Sequence, residues 1–279
     1  MKENIRIHNA IKDDIGHLIT YRAMPTHSVN HLDPFLFLNH HGPQEFPPKN
    51  QGLPFGPHPH RGFCTLTFIL TGDLVHKDST GSESRIEAGG IQWMTAGKGI
   101  VHAEISSEEF KEKGGPIELL QLWINLPGSL KSIPPYYLGL QEEEVPKVEN
   151  DAYQAQVICG ALDGVEGELN IIDGLMMSRI DLQANQHFNY SVPNGHEVFC
   201  YLVRGQAEIN GQKVAARQLI QFDQKGGKVQ VKAFDEKAIL LFGHGKAYEE
   251  PIVAQGPFVM NTREEIEEAY QDYRAGKFE

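Results

Sequence analysis

Short apolar segments, separated by glycines and prolines, are the feature that most limits the folds open to this chain. The 28 glycines and 16 prolines interrupt the sequence throughout, and no long helical periodicity is visible in its middle. The candidate strands are FCTLTFIL (63–70), IQWMTA (91–96), GIVHAEIS (99–106), ELLQLWINL (118–126), LMMSRIDL (175–182), VFCYLVRG (198–205), QLIQFD (218–223) and AILLFG (238–243). Many short strands joined by turns predict an all-β sandwich or barrel.

A weak internal sequence repeat, called here the internal echo, divides the chain into two halves. With 279 residues the chain can form one large domain or two of ordinary size. FCTLTFILTGDLV and EVFCYLVRGQAEI align when Gly72 is placed on Gly205. The proline-rich and acidic stretch at residues 133–154 has no core pattern. We therefore expect two similar β units, with residues 133–154 as the connector between them.

The C-terminal end has a different pattern and predicts one helix within residues 261–278. Thr262 and Glu265 have the spacing of a capping box, and Gly276 is placed to end the helix. Four apolar or aromatic residues share one helical face, namely Ile266, Ala269, Tyr270 and Tyr273. We expect this face to pack against the protein.

Charge and cysteine content exclude several classes of protein. The 25 basic and 37 acidic residues give a net charge of −12, which argues against direct binding to nucleic acid and gives no reason to expect a membrane surface. The three cysteines are far apart and form no Cys-x-x-Cys motif, so neither a disulfide framework nor a thiolate zinc site is expected. No apolar run approaches the roughly 18 residues of a membrane span, and the N-terminus lacks an apolar signal region. These features predict a cytoplasmic protein.

His58 and His60 in GPHPHRGF are one residue apart at the entry to a strand. A His-x-His pair alone is more often solvated or hydrogen-bonded to backbone than bound to metal. From Cys64 onward the even positions are mostly apolar, and side chains in a strand alternate between its two faces. If the extended geometry continues back through the prolines, both histidines point to the same interior face as Cys64. Two imidazoles in a core need partners, and a metal ion is one way to satisfy them.

A second pair follows in GKGIVHAEIS, where His102 and Glu104 are again one residue apart. Two such pairs on neighbouring strands give four candidate ligands, three imidazoles and one carboxylate. This mixed set without thiolate suits Fe(II), Mn, Co, Ni or Cu, and four ligands leave two positions of an octahedral ion open. A structural zinc site would usually be closed and often uses cysteine. Open positions predict chemistry or ligand exchange at the metal.

The remaining candidate residues have less support. Five other histidines, His40, His41, His187, His196 and His244, have no second pair in a matching strand, so we expect them to be structural or exposed. Arg61 and Lys98 adjoin the ligand segments and could steer an anionic substrate, although simple solvent exposure is the more common role.

HPHRGF, QWMTAGKGIVHAE and the closing GPFVMNTREEIEEAYQDYRAGKF resemble the pirin family of bicupins, and LDPFLFLNH is similar to the N-terminal signature of that family. The resemblance spans nearly the whole chain. It implies two tandem cupin-type (jelly-roll) β-barrels, an N-terminal metal-binding barrel at residues 1–132, the connector at 133–154, and a C-terminal barrel without metal ligands at 155–279 that ends in a helix at about 262–275.

The metal ligands implied by the resemblance are the four that the strand pattern had already selected: His58, His60, His102 and Glu104. The resemblance also implies Fe(II) as the metal, with Mn, Co, Ni or Cu as alternatives, bound only in the N-terminal barrel. Aligning the two halves sets Ser191 and Pro193 against the first histidine pair, in agreement with a second barrel that lacks ligands. Cys64 departs from the pattern, since a glutamate usually stands at that position. Its even position in the strand predicts that it lies near the metal.

Two functions are associated with pirins. One is quercetin 2,3-dioxygenase activity, in which a flavonol binds the metal through its 3-hydroxyl, O2 attacks, and the central ring opens with loss of carbon monoxide. In that reaction Glu104 is the catalytic residue that accepts the hydroxyl proton or changes its coordination. The alternative is a non-catalytic, iron-dependent protein that binds a transcription or metabolic partner. We expect the dioxygenase, acting on O2 and a flavonol-like small molecule, in a monomeric protein.

Overall fold

The structure is a computed structural model, and it describes residues 5–223 and 225–279. It is mostly β-strand with two short helices. Thirteen strands precede residue 150: β1 Ile5–Asn9, β2 Ile11–Lys12, β3 Thr20–Met24, β4 Phe35–Phe46, β5 Phe55–His60, β6 Phe63–Thr71, β7 Asp73–Asp78, β8 Glu83–Glu87, β9 Ile91–Thr95, β10 Ile100–Ile105, β11 Gly115–Asn125, β12 Tyr136–Leu140 and β13 Lys147–Glu149. Helix α1, Glu108–Lys113, lies between β10 and β11, and a 3-10 turn covers Gly128–Leu130.

Thirteen further strands follow in the second half of the chain: β14 Tyr153–Cys159, β15 Ala161–Leu162, β16 Val165–Glu166, β17 Met176–Leu182, β18 His187–Val192, β19 His196–Arg204, β20 Gln206–Ile209, β21 Gln212–Ala215, β22 Gln218–Phe222, β23 Gly227–Ala233, β24 Ala238–Lys246, β25 Val253–Gln255 and β26 Phe258–Met260. Helix α2, Arg263–Arg274, comes last. Each of the eight segments expected to form strands contributes one, so the all-β prediction is confirmed.

Two compact units divide the described chain. The first barrel comprises residues 12–21, 36–144 and 248–279, and the second comprises residues 5–11, 22–35 and 145–247. The first is built around a seven-stranded sheet, β12-β9-β6-β11-β4-β3-β2, and a four-stranded sheet, β5-β10-β7-β8. The second has a seven-stranded sheet, β1-β22-β19-β24-β17-β14-β13, and a four-stranded sheet, β18-β23-β20-β21. The four-stranded sheets repeat the same order of strands, so the internal echo reflects a repeated architecture.

Gly72 and Gly205, which the echo aligned, occupy matching turns. Gly72 connects β6 to β7 with φ +84°, and Gly205 connects β19 to β20 with φ +80°. A side chain on Gly72 would meet the Pro116 carbonyl oxygen at 2.8 Å, and one on Gly205 would meet the Lys237 carbonyl oxygen at 2.5 Å. Glycine is therefore required at both positions for its backbone freedom and for its small size.

The compact units differ from the expected domain limits in several places. Residues 5–11 and 22–35, expected in the first barrel, belong to the second. Residues 136–140 of the expected connector form β12, which pairs with β9 at the edge of the first barrel's large sheet. Residues 248–279, expected at the end of the second barrel, belong to the first. The buried face of α2, formed by Ile266 and Ala269, clusters with Phe258, Met260 and Phe278, and this apolar packing holds the C-terminal segment in the first barrel.

Helix α2 itself agrees with its prediction. Thr262 caps its N-terminus, and the capping box with Glu265 is complete. Gly276 follows the helix with φ +72°, the left-handed conformation expected after a helix end. The short helix α1 was not anticipated; Ser107 caps it by accepting a hydrogen bond from the Phe110 backbone N–H.

Candidate metal centre

Two adjacent strands of the first barrel place the predicted histidines together. β5 and β10 run antiparallel, and His102 lies directly opposite His58 in the register. His60 is two residues further along β5, so its side chain is on the same face as that of His58. The three imidazoles therefore project from one patch of the four-stranded sheet.

The distances fit a common ligand. Ring centroids lie 4.4 Å apart for His58 and His102, 4.8 Å for His58 and His60, and 5.0 Å for His60 and His102. Each imidazole offers one nitrogen, and these nitrogens all lie within 4.8 Å of one another. A single metal ion between them could reach all three after small side-chain adjustments.

Backbone carbonyls orient two of the imidazoles. His58 Nδ1 donates to the Gly56 carbonyl at 2.7 Å, and His60 Nδ1 donates to the Pro257 carbonyl at 3.2 Å. Because a carbonyl only accepts, both Nδ1 atoms carry a proton, so Nε2 is the atom through which each neutral ring can bind a metal. This arrangement fixes the tautomer in many metal-binding histidines.

His102 provides the strongest test of whether a metal fits. The residue is 1% exposed, and neither ring nitrogen has a hydrogen-bond partner among the described residues. Buried polar atoms without partners are costly, and a metal ion would satisfy one of them. The donor set and this unsatisfied imidazole both fit a transition metal.

The protonation states favour metal binding as well. Burial, and to a lesser degree the neighbouring His58, lowers the pKa of His60 to about 3. Burial lowers the pKa of His102 well below its ordinary value, with further contributions from His60, His58 and His76. Both rings are therefore neutral at physiological pH, which is the form that binds metal.

Glu104 lies on the same strand but outside this group of three in the described part of the chain. Its Oε2 accepts from Gln121 Nε2 at 2.6 Å, and its Oε1 accepts from Thr67 Oγ1 at 3.3 Å and from Gln92 Nε2. The residue is 2% exposed, and a bulge separates it from His102 in the pairing of β10 with β5. Hydrogen bonds from the seven-stranded sheet thus hold this carboxylate between the two sheets of the first barrel.

Three polar residues around Glu104 were not anticipated. Gln92 and Gln121 interrupt the apolar strand segments IQWMT and LLQLW, and Thr67 lies within FCTLTFIL. A polar side chain inside such a strand needs a buried partner. This signal could have identified them, although it could not have named Glu104 as the partner.

A further pair on β7, His76 and Asp78, was not predicted from the sequence either. Asp78 lies opposite His102 and His76 opposite Glu104 in the β10–β7 register. His76 hydrogen-bonds Asp78 at 2.8 Å and stacks on Tyr137, with centroids 3.9 Å apart. Its own centroid is 5.4 Å from that of His102. The alternation in DLVHKD was the available signal, since it repeats the one-residue spacing of the two recognised pairs.

The prediction that Cys64 lies near the metal is wrong. Phe63 and Thr67 face the site, since Phe63 contacts the His60 ring at 5.0 Å and Thr67 donates to Glu104. Alternation along β6 therefore turns Cys64 to the opposite face, where its thiol hydrogen-bonds Thr95 at 3.5 Å. Both faces of β6 are buried from residue 63 to 69, so apolar parity does not identify the interior face. Gly62, with φ +88°, also interrupts the extended geometry between His60 and β6.

Three of the other candidate histidines have structural or surface positions. In the first barrel His40 forms a buried hydrogen bond with Glu118 at 2.9 Å and His41 hydrogen-bonds Thr20 at 2.9 Å, while in the second barrel His187 is exposed. Arg61 is not a free surface cation, because it pairs with Asp272 of α2 at 2.8 Å.

Two cupin-type barrels in one chain, with a metal-compatible histidine cluster in the first, define a bicupin. The Pirin family model matches residues 17–124, and the model of the Pirin C-terminal cupin domain matches residues 177–279. The chain belongs to the pirin family. No helix in the described part of the chain has the length and apolar character needed to span a membrane.

Similar proteins carry two kinds of name. A Pseudomonas aeruginosa protein named "Putative quercetin 2,3-dioxygenase" is 36% identical and covers 100% of this chain and 99% of its own length. A "Pirin-like protein" of Solanum lycopersicum is 35% identical over 93% of this chain and 86% of its own. The crystal structure of quercetin 2,3-dioxygenase from Acinetobacter baumannii superposes with a TM-score of 0.88 at 31% identity, covering 98% of this chain and 96% of that one.

Proposed function

We propose that this pirin is a metal-dependent dioxygenase of the quercetin 2,3-dioxygenase type, which opens a flavonol ring with O2 and releases carbon monoxide. The observation that carries the proposal is the cluster of three imidazoles, two of them buried, on the same strands as a hydrogen-bonded carboxylate; the names of the relatives add support. In the first barrel these groups combine metal-ligand chemistry with a proton acceptor.

His58, His60 and His102 would hold the metal, with Glu104 as the proposed fourth ligand. Fe(II) suits this nitrogen and oxygen donor set, as do Mn, Co, Ni and Cu. The bound ion would supply Lewis acidity at the flavonol hydroxyl and a redox-active centre for O2.

Glu104 is the proposed catalytic residue. Its carboxylate accepts three hydrogen bonds from neutral donors, which keep it oriented. When a flavonol arrives, one oxygen of Glu104 can exchange an amide donor for the 3-hydroxyl and accept its proton. The other amide donor and the Thr67 hydroxyl then hold the carboxyl group in position.

An aromatic wall beside His60 supports a planar substrate. Trp123 stacks on Phe37 with centroids 4.5 Å apart and contacts the His60 ring at 5.3 Å. Its indole Nε1 donates to Gln121 Oε1 at 3.3 Å, which links the wall to the amide that holds Glu104. A flavonol ring system can pack against such a surface while its hydroxyl reaches the carboxylate.

The test is to load the protein anaerobically with Fe(II), add quercetin in air, and record flavonol absorbance and carbon monoxide. We expect one carbon monoxide per flavonol consumed, at a rate proportional to bound iron. His102→Ala should abolish both signals, while the same substitution at exposed His187 serves as the matched control. If the iron-loaded protein consumes no flavonol, the dioxygenase proposal fails and the alternative of an iron-dependent, partner-binding protein takes its place.

A further inference from the structure

A polar cluster in the second barrel has no role in the proposed reaction. It consists of Tyr190 on β18, His196 at the start of β19, and His244 on β24. His196 Nδ1 and His244 Nδ1 are 3.0 Å apart in a hydrogen bond, and His244 Nε2 is 3.2 Å from the Tyr190 hydroxyl. The three side chains thus form one continuous hydrogen-bonded chain.

These three side chains line a cavity of about 350 Å³. Leu175, Met176 and Pro193 contribute apolar surface to the same cavity. The volume lies within the range of small-molecule sites in proteins. The mixture of apolar walls with a few converging polar groups is also typical of such sites.

The hydrogen-bonded chain can exist in two arrangements. A neutral imidazole has one N–H, so only one of the two Nδ1 atoms donates to the other. If His244 donates, His196 Nε2 carries a proton and the Tyr190 hydroxyl donates to His244. If His196 donates, His196 Nε2 is an acceptor and Tyr190 is free to donate to a ligand. The cavity therefore offers a donor and an acceptor whose positions can be exchanged.

The cluster is uncharged near neutral pH. Burial, followed by the neighbouring His196, lowers the pKa of His244 to about 4. Burial also lowers the pKa of His196, with an additional contribution from Lys246 and an opposing one from Asp173. The three side chains of the cluster offer no positive charge to bind an anion. Their hydrogen-bond donors and acceptors instead suit an uncharged hydroxyl or carbonyl group.

We propose that this cavity is a second binding site, which takes a small uncharged ring compound bearing hydroxyl or carbonyl groups. The apolar walls and the Tyr190 ring contact the ring, and the Tyr190 hydroxyl and His196 Nε2 bind its polar groups. The proposed site uses no residue of the first barrel, so this proposal is independent of the dioxygenase proposal.

Resorcinol is a suitable probe, because its separated hydroxyl groups do not chelate metal and are uncharged at neutral pH. The full-length, metal-loaded protein is labelled at its methionine methyl groups and titrated with resorcinol by NMR, with the buried Met176 as reporter. We expect Met176 to shift with a Kd in the millimolar range. Tyr190→Phe, which removes one hydroxyl and keeps the ring, should weaken binding about fivefold.

Two controls distinguish binding in this cavity from binding in the first barrel and from metal binding. His196→Asn at the half-buried end of the cluster should also weaken binding, whereas His60→Ala in the first barrel should leave the Met176 titration unchanged. An unmoved Met176 signal, or full affinity in both second-barrel variants, would overturn the proposal. Binding of a second equivalent of nickel that His196→Asn abolishes would also overturn it, because the cluster would then be a metal site.

Discussion

Both ring nitrogens of His102 lack partners within residues 5–223 and 225–279, so without metal this imidazole is a buried polar group at a cost. His102→Leu should therefore abolish metal binding and yet raise the free energy of unfolding of the metal-free protein by about 1 kcal/mol. Urea unfolding in the presence of a chelator measures the second effect. His40 is equally buried but pairs with Glu118, so His40→Leu should instead lower the free energy of unfolding by about 3 kcal/mol. A lower free energy of unfolding for metal-free His102→Leu would show that the unpartnered imidazole does not destabilise the metal-free protein.

Cys64 allows a test of the reassigned face of β6. Its thiol is fully buried, and burial raises its pKa to about 12, so it is an inert packing group. Cys64→Glu should destabilise the protein by at least about 2 kcal/mol, because it places a larger, ionisable carboxyl group at a fully buried position. It should leave the metal content of the folded fraction unchanged. Metal analysis after gel filtration measures this, with Cys64→Ala as the control. A change in metal affinity or metal preference would show that Cys64 faces the metal site after all.

Helix α2 and the strand before it support the metal centre from the far end of the sequence. The Pro257 carbonyl orients His60, the Val259 N–H donates to the Arg61 carbonyl at 3.0 Å, and Asp272 pairs with the Arg61 guanidinium. Gly62 permits this approach, since a side chain there would lie 2.0 Å from the Val259 carbonyl oxygen. The C-terminal segment is therefore a positioning element for the ligand strand β5.

Asp272→Asn should weaken metal binding by up to about tenfold, because Arg61, which follows the ligand His60 in the chain, then loses the carboxylate that fixes it. Lys277 also pairs with Asp272, at 2.6 Å, but on the exposed side. Lys277→Gln removes that ion pair while leaving the bond from Arg61 in place, so it should not change the affinity. Competition with a chromophoric chelator compares the two variants. Equal affinities would mean that α2 does not position the site.

The sequence predicted the elements of this protein better than their placement. Period-two patterns and turn residues identified the eight principal strands and the capped helix, because these are local properties of the chain. The same local reasoning failed at β6, which is buried on both faces, and at residues 248–279, whose packing partners are distant in sequence. The donors to Glu104 come from β6, β9 and β11, and only the folded sheets bring them together.

Across the whole molecule, the two barrels repeat one order of strands but differ in their polar residues. β5 contributes His58 and His60 to the first barrel, while the corresponding β18 of the second has Phe188 and Tyr190 on the face of its buried residues. We therefore expect one tightly bound transition metal per chain. Elemental analysis of the purified protein should give one equivalent, none in His102→Ala and one in His196→Asn. Two equivalents, or one that survives His102→Ala, would contradict this assignment.

The most direct test of the proposed chemistry is turnover per bound metal in Glu104→Gln. This substitution keeps the size of the side chain and the three histidines, but removes the group that accepts the flavonol proton. We predict that the variant retains part of its metal and loses about 100-fold or more in turnover per bound metal. His60→Ala should lose metal and activity in proportion, because it removes a ligand. Wild-type turnover per bound metal in Glu104→Gln would contradict the role of Glu104 as the base.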